Sequence, residues 1–146
     1  MEPVGTNARV VIYSLDMSIV DRLLVYCSRY EHTPAIFIDI KEAYAFLGRR
    51  RFSIAFIDSA DAPHEAMALA WELRSRSVHA PLVALVNGGS SGEMEDELYK
   101  NGFDGVIHKD ATDDELRMLV DNFLKSGRLR QETGELLRRS KMPPEL

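Results

Sequence analysis

Five short apolar runs, separated by segments with helical periodicity, constrain the fold of this chain more than any other feature. The runs are RVVIYS (9–14), PAIFI (34–38), FSIAFI (52–57), PLVALV (81–86) and FDGVIH (103–108). Four of them are nearly continuous in apolar residues, which is typical of parallel strands buried on both faces. Strict alternation of strands and helices predicts an α/β protein with an open five-stranded parallel sheet and helices on both faces.

The segments between the runs carry apolar residues at helical spacing, and most are preceded by a helix-start signal. The first segment places Ile19, Leu23 and Cys27 on one face, and the third does the same with Ala66, Leu69, Ala70 and Leu73. Four pairs have the spacing of a capping box: Ser18 with Asp21, Asp39 with Glu42, Ser90 with Glu93, and Thr112 with Glu115. We therefore expect helices to start near residues 18, 39, 90 and 112.

Length and composition favour one soluble domain. The chain has 146 residues, a net charge of −5 and a single cysteine, Cys27, so no internal disulfide and no zinc cluster is expected. The mixed charges predict no binding of nucleic acid, and no apolar run approaches the roughly 18 residues of a membrane span. We expect a cytoplasmic protein with no membrane contact. The five units predict a domain over residues 8–126, followed by a polar helix or linker over 127–146.

Polar residues follow three of the predicted strands at the positions where ligands bind in open α/β sheets. Asp16 follows the first strand, Asp58 the third and Lys109 the fifth. Two nearby carboxylates can share a Mg²⁺ ion, and an aspartate can attack a phosphoryl donor to form an acyl phosphate. A lysine opposite them would neutralise the phosphoryl oxygens. These residue types together favour phosphate capture on Asp58.

With these residues in place, the chain resembles the receiver domain of two-component response regulators across roughly residues 8–126. The resemblance rests on Asp16, Asp58 and Lys109, and on the segment GFDGVIHKDATDDEL at the fifth strand. It implies the flavodoxin-like, doubly wound receiver fold with strand order 2-1-3-4-5. It also implies Asp58 as phosphoacceptor, Lys109 as phosphate contact, and Asp16, Asp58 and the Ala60 backbone carbonyl as Mg²⁺ ligands.

Three positions depart from the receiver pattern. Leu15 stands where receivers carry the first of two adjacent acids, so Mg²⁺ binding is expected to be weak. Val86 replaces the Ser or Thr after the fourth strand, and Val106 replaces the Tyr or Phe of the fifth. Because these two side chains normally relay the phosphorylation state, the usual switch is expected to be missing.

Three functional interpretations remain open from the residues. The first is an atypical, non-enzymatic receiver domain in a phosphorelay, which contacts a sensor kinase or phosphotransfer protein and an output partner, with homodimerisation possible. The second is a pseudo-receiver that is never phosphorylated and serves as a docking or dimerisation module. The third, less favoured, is a small flavodoxin-like enzyme or nucleotide binder, because SLDMSI follows the first strand in place of a glycine-rich loop.

Overall fold

The computed structural model describes residues 10–27, 34–49 and 52–125, and in these ranges five strands form one parallel sheet. The elements in chain order are β1 (Val10–Tyr13), α1 (Met17–Cys27), β2 (Ala35–Phe37), α2 (Ile40–Arg49), β3 (Ile54–Asp58), α3 (Pro63–Ser75), β4 (Leu82–Val86), α4 (Gly92–Lys100), β5 (Gly105–His108) and α5 (113–125). The strand order is β2-β1-β3-β4-β5, which confirms the predicted architecture. The predicted tail, 127–146, lies outside the described residues.

The core consists of two apolar layers, one on each face of the sheet. Alternate strand residues such as Ile12 and Phe56 pack with Leu23 of α1 and Leu116 of α5. The intervening strand residues pack against α2, α3 and α4, as Ile57 does with the buried Leu73 and Leu98. Both faces of the central strands are therefore buried, which explains their nearly continuous apolar sequences.

Helices begin near all four predicted positions, and at two of them the predicted residue caps the helix. At α5, Thr112 and Glu115 form a reciprocal capping box: the Glu115 amide donates to Thr112 Oγ1 at 3.2 Å, and the Thr112 amide donates to Glu115 Oε1 at 2.9 Å. At α2, the Lys41 amide donates to Asp39 Oδ1 at 2.8 Å.

At the other two helices the start lies near the predicted position, but a different residue caps it. The first turn of α1 is capped by Asp16 and not by Ser18, since Asp16 Oδ1 accepts from the Ser18 amide and the Asp16 carbonyl accepts from the Val20 amide. At α4 the N-cap is Ser91, whose hydroxyl accepts from the Met94 amide. In both cases a neighbouring residue also has a capping side chain, and local spacing alone does not choose between them.

Strand register brings the ends of β1, β3, β4 and β5 to one edge of the sheet. Tyr13 pairs with Ile57, so Ser14, the residue that follows β1, lies beside Asp58. Val86 pairs with His108, and the Val86 carbonyl accepts from the Lys109 amide at 2.8 Å. Within the described ranges, no helix combines the length and hydropathy that crossing a bilayer requires.

Candidate functional site at the carboxyl edge of the sheet

The structure brings together the three residues that the sequence predicted to form a site. Lys109 Nζ lies 2.7 Å from Asp58 Oδ2 and 3.2 Å from Asp16 Oδ2. Asp58 is the last residue of β3, while Asp16 and Lys109 belong to the loops that follow β1 and β5. The expected convergence at the carboxyl edge is thus present at hydrogen-bonding distance.

The Lys109 ammonium is shared by both carboxylates in a largely buried setting. The side chains of Lys109 and Asp58 are 15% and 11% exposed. Burial alone would lower the pKa of Lys109, but the hydrogen bonds and negative charges of Asp58 and Asp16 together raise it. The hydrogen bond from Lys109 in turn lowers the pKa of Asp16, against the opposing effect of its slight burial. Lys109 is therefore held as a cation and Asp16 as an anion.

Both carboxylate oxygens of Asp58 accept hydrogen bonds. Oδ2 accepts from the Ser14 hydroxyl at 2.6 Å in addition to its contact with Lys109. Oδ1 accepts from the backbone amide of Ala60 at 3.0 Å. Ala60, predicted to supply its carbonyl to a metal, is thus held next to Asp58 through its amide. The charge of Asp58 is stabilised by a cation, a hydroxyl and an amide.

Ser14 is a site residue that the sequence reasoning missed. Its side chain is fully buried, and its hydroxyl also accepts from the Asp16 amide at 2.9 Å. A weak signal was available in the sequence, because Ser14 is the polar end of the first apolar run and precedes Asp16 by two residues. Its contact with Asp58 depends on the β1–β3 register, which no local pattern reveals.

Arg22 is a second missed residue, and it fixes the loop that carries Lys109. From α1 its guanidinium donates to the Lys109 carbonyl at 3.0 Å and to the Ala111 carbonyl at 2.6 Å. It also forms an ion pair with Asp113 at the start of α5, at 3.0 Å. In the sequence Arg22 is an ordinary polar position of an amphipathic helix, so no signal marked it.

The three positions that depart from the receiver pattern surround this cluster without contributing polar side chains. Leu15 is 67% exposed at the surface of the β1–α1 loop. Val86 is buried at the end of β4, and Val106 is half-buried in β5. Neither valine can donate a hydrogen bond toward Asp58.

The oxygen atoms of the cluster fit a hard divalent cation. Asp16 Oδ2 and Asp58 Oδ2 both contact one ammonium nitrogen, so a single cation can reach both carboxylates. Carboxylate and carbonyl oxygens are the ligands that Mg²⁺ prefers. No cluster of three or more His, Cys, Asp or Glu side chains suited to a metal occurs in the parts of the chain that the structure describes. Asp16 and Asp58 are the two acids that share the Lys109 ammonium.

Solved structures with the same fold include receiver domains of response regulators. The receiver domain of the Francisella response regulator 1452 aligns with a TM-score of 0.69 at 22% identity, over 82% of this chain and 98% of that one. A CheY-like receiver domain protein from Methanospirillum hungatei JF-1 aligns with a TM-score of 0.69 at 19% identity, over 83% and 96%. A protein described as adenylate cyclase from Rhodopirellula baltica aligns with a TM-score of 0.73 at 16% identity, over 90% and 98%.

No protein-family model and no curated protein matches the sequence. These three structural likenesses, each under 25% identity, establish the fold and leave the chemistry to the residues of the site. Strand order, helix placement and the structural neighbours agree with the resemblance drawn from the sequence. The chain therefore has the fold of response-regulator receiver domains.

Proposed function

We propose that this chain is an atypical receiver domain of a two-component phosphorelay, in which Asp58 accepts a phosphoryl group and Lys109 neutralises it. The observation that carries the proposal is the convergence of Asp16, Asp58 and Lys109, with Lys109 Nζ 2.7 Å from Asp58 Oδ2. Two acids and a lysine, from three separate strand ends or loops, meet at the edge where open α/β sheets bind ligands.

The proposed reaction is the transfer of one phosphoryl group to a carboxylate oxygen of Asp58. A bond forms between that oxygen and phosphorus while the bond between phosphorus and the donor breaks, and the donor leaves with the electron pair of that bond. The Lys109 ammonium, already 2.7 Å from Asp58, stabilises negative charge on the phosphoryl oxygens. Asp16, Asp58 and the Ala60 carbonyl would hold Mg²⁺, which supplies electrostatic stabilisation of the transferred group.

The partners proposed from this reaction are proteins. A sensor kinase or phosphotransfer protein would supply the phosphoryl group, and an output partner or a second copy of the chain would read it. The proposed setting is the cytoplasm, and the proposal includes no catalytic turnover and no binding of nucleic acid.

One observation favours a second candidate function, a pseudo-receiver that is never phosphorylated. Lys109 and Ser14 both occupy Asp58 Oδ2, so the carboxylate is already neutralised and hydrogen-bonded without phosphate. In this case the cluster would hold β1, β3 and β5 together, and the domain would act by docking or dimerisation alone.

The test is the intact mass of the protein after incubation with Mg²⁺ and a small acyl phosphate. We expect a mass increase of one phosphoryl group that hydroxylamine removes, as an acyl phosphate requires. Asp58→Asn should abolish the increase, and Asp61→Asn, which alters an exposed acid three residues away, should not. Absence of the increase in the unaltered protein would support the pseudo-receiver, and an increase in Asp58→Asn would place the phosphate elsewhere.

A further inference from the structure

The Ser14 hydroxyl joins the candidate phosphoacceptor to the start of α1. It donates to Asp58 Oδ2 at 2.6 Å and accepts from the Asp16 amide at 2.9 Å. A hydroxyl has one hydrogen to donate, and the residue is fully buried, so water does not compete for either bond. The two bonds therefore depend on one orientation of the Ser14 side chain.

Asp16 passes this link on to the first turn of α1. Its Oδ1 accepts from the Ser18 amide at 3.1 Å, and its carbonyl accepts from the Val20 amide at 3.2 Å. The Ser18 amide belongs to the first turn, whose N–H groups have no intrahelical acceptor, and the bond from Val20 is the first i→i−4 bond of the helix. A change at the Asp16 backbone consequently changes how α1 begins.

We propose that Ser14 couples the chemical state of Asp58 to the start of α1, in place of the missing relay through β4 and β5. The inference rests on the proposed phosphorylation of Asp58 and names the route by which it is read.

The physical basis is the strength of the acceptor. A carboxylate oxygen accepts hydrogen bonds about twice as strongly as a neutral carbonyl oxygen. When Asp58 is esterified by phosphate, its negative charge moves to the phosphoryl oxygens, and the Ser14 hydrogen turns toward the stronger acceptor. Rotation of the hydroxyl about its Cα–Cβ bond carries Oγ away from the Asp16 amide. The partly buried Asp16 amide loses this acceptor, and the β1–α1 loop rearranges to provide another.

Ser59 and Val86, two other buried residues among those described, do not offer an equivalent route. Ser59 is also buried, but its hydroxyl donates to the Ile57 carbonyl at 3.2 Å and not to the site. Val86 has no hydroxyl. A competing route passes through Lys109, which contacts Asp58 and Asp16 directly, and the experiment must separate it from Ser14.

The first experiment needs no phosphate and uses ¹H–¹⁵N spectra of the full chain. Asp58→Asn removes the charge of the acceptor, so the amide resonances of Asp16 and Ser18 should shift. Combined with Ser14→Ala, the same Asp58→Asn change should move them by about half as much or less, as expected for coupled residues. Combined with the matched control Ser59→Ala, the full shift should remain. If Ser14→Ala does not fold, Ser14→Cys replaces the hydroxyl with a weak thiol donor of similar size.

Two outcomes of this experiment would overturn the coupling. One is an Asp58→Asn spectrum in which Asp16 and Ser18 do not move. The other is an undiminished shift in the Ser14 variants, which would assign the route to Lys109.

The second experiment adds beryllofluoride and Mg²⁺, and the Ala60 amide reports binding because it donates to Asp58 Oδ1. We expect Ala60, Asp16 and Ser18 to respond in the unaltered chain, and Ala60 alone to respond fully in Ser14→Ala. No response at Ala60 would count against phosphate capture, while the first experiment would still decide whether Ser14 couples the two sites. A response at Ala60 without one at Asp16 in the unaltered chain would refute the relay and leave capture standing.

Discussion

At the scale of single residues, the site has one cation for two carboxylates. Lys109 contacts both Asp58 and Asp16, so the cluster as a whole carries one net negative charge. A site with three carboxylates and one lysine would attract a divalent cation more strongly than this cluster, which has only two carboxylates. The cation would also have to compete with the Lys109 ammonium, which already contacts both. We therefore predict Mg²⁺ binding in the millimolar range or weaker.

Leu15→Asp should strengthen Mg²⁺ binding, because it adds a carboxylate beside Asp16. Since Leu15 is 67% exposed, solvent screens the added charge, and we expect an improvement in Kd of about 3- to 10-fold. Titration calorimetry measures it. Val25→Asp is the matched control, since it adds the same charge at an exposed position of α1 away from the site. Equal binding by the two variants, or micromolar binding by the unaltered chain, would contradict the role given to Leu15.

Lys109→Met should lower the free energy of unfolding by about 1–3 kcal/mol at neutral pH, because it leaves the mostly buried Asp58 without its cation. Because the pKa of Lys109 is raised, its contribution to the free energy of unfolding is complete below the ordinary lysine pKa of 10.5. That contribution is lost as pH rises through the folded-state pKa of Lys109. The lowered pKa of Asp16 acts at the other extreme. The stability that Asp16 contributes is present above its ordinary pKa of 3.8 and is lost as pH falls through its lower folded-state pKa.

Urea denaturation across the pH range tests this prediction. Lys100→Met, which removes an exposed lysine at the end of α4, is the control and should change stability little. In Lys109→Met the alkaline loss assigned to Lys109 should disappear. A variant as stable as the control at neutral pH would show that the ammonium does not stabilise the cluster.

At the scale of secondary-structure elements, α4 is tied to the neighbouring strand and loop. Glu95 Oε2 accepts from the Ser90 hydroxyl at 2.9 Å and lies 3.0 Å from His108 Nε2. This contact joins α4 to the end of β5 and to the β4–α4 loop. Val86 and Val106 provide neither a hydroxyl to follow a phosphoryl group nor a ring to move inward.

We predict that phosphate mimicry at Asp58 leaves α4, β5 and α5 almost unmoved. Inverting a two-state population needs a differential free energy of about 5.5 kcal/mol. None of the hydrogen bonds or ion pairs of Asp58 found among the described residues comes from α4, β5 or α5. Amide exchange or chemical-shift maps, with and without beryllofluoride, should show little change at Tyr99, Val106 and Leu116. Large changes at these residues would reveal another relay and contradict the assignment of the response to the β1–α1 loop.

At the scale of the whole molecule, the two edges of the sheet have separate roles. The carboxyl edge carries the site, and the amino edge is held by Arg74 at the end of α3. Its guanidinium donates to the carbonyls of Gly102, Val78 and Ala80 and pairs with Asp104 at 2.5 Å. The Asp104 carboxylate also accepts from the Leu82 amide, so one side chain joins α3, the start of β4 and the start of β5.

Arg74→Met should lower the free energy of unfolding by about 2–4 kcal/mol, because several backbone carbonyls and a partly buried carboxylate lose their donor together. Arg117→Met removes a partly exposed arginine whose ion pair with Asp114 spans one helical turn, and should cost about 0.5 kcal/mol or less. Thermal and urea unfolding measure both. Below the unfolding transition, phosphoryl labelling of Asp58 should be the same in both variants, and reduced labelling in Arg74→Met would show that the two edges are coupled.

Much of the fold and part of the site follow from local patterns in the chain. Continuous apolar runs indicate strands buried on both faces, and apolar residues such as Leu23 and Leu73, spaced at helical period, correctly mark the buried faces of α1 and α3. Asp58 and Lys109 were predictable because Asp58 ends a strand and Lys109 directly follows one, and parallel strands share one carboxyl edge. The strand order itself came from the resemblance that these residues carry, and the structure confirms it.

The contacts that complete the site could not be predicted, because they join residues far apart in sequence. Ser14 and Asp58 are 44 residues apart, and Arg22 reaches the carbonyls of Lys109 and Ala111 across 87 and 89 residues. A buried serine or a helix-surface arginine has no distinctive local pattern, since its partner is set by strand register and by the packing of α1 beside α5. Periodicity records which face of an element is buried. Only the packed structure pairs individual polar atoms, because each pairing depends on the positions of two elements at once.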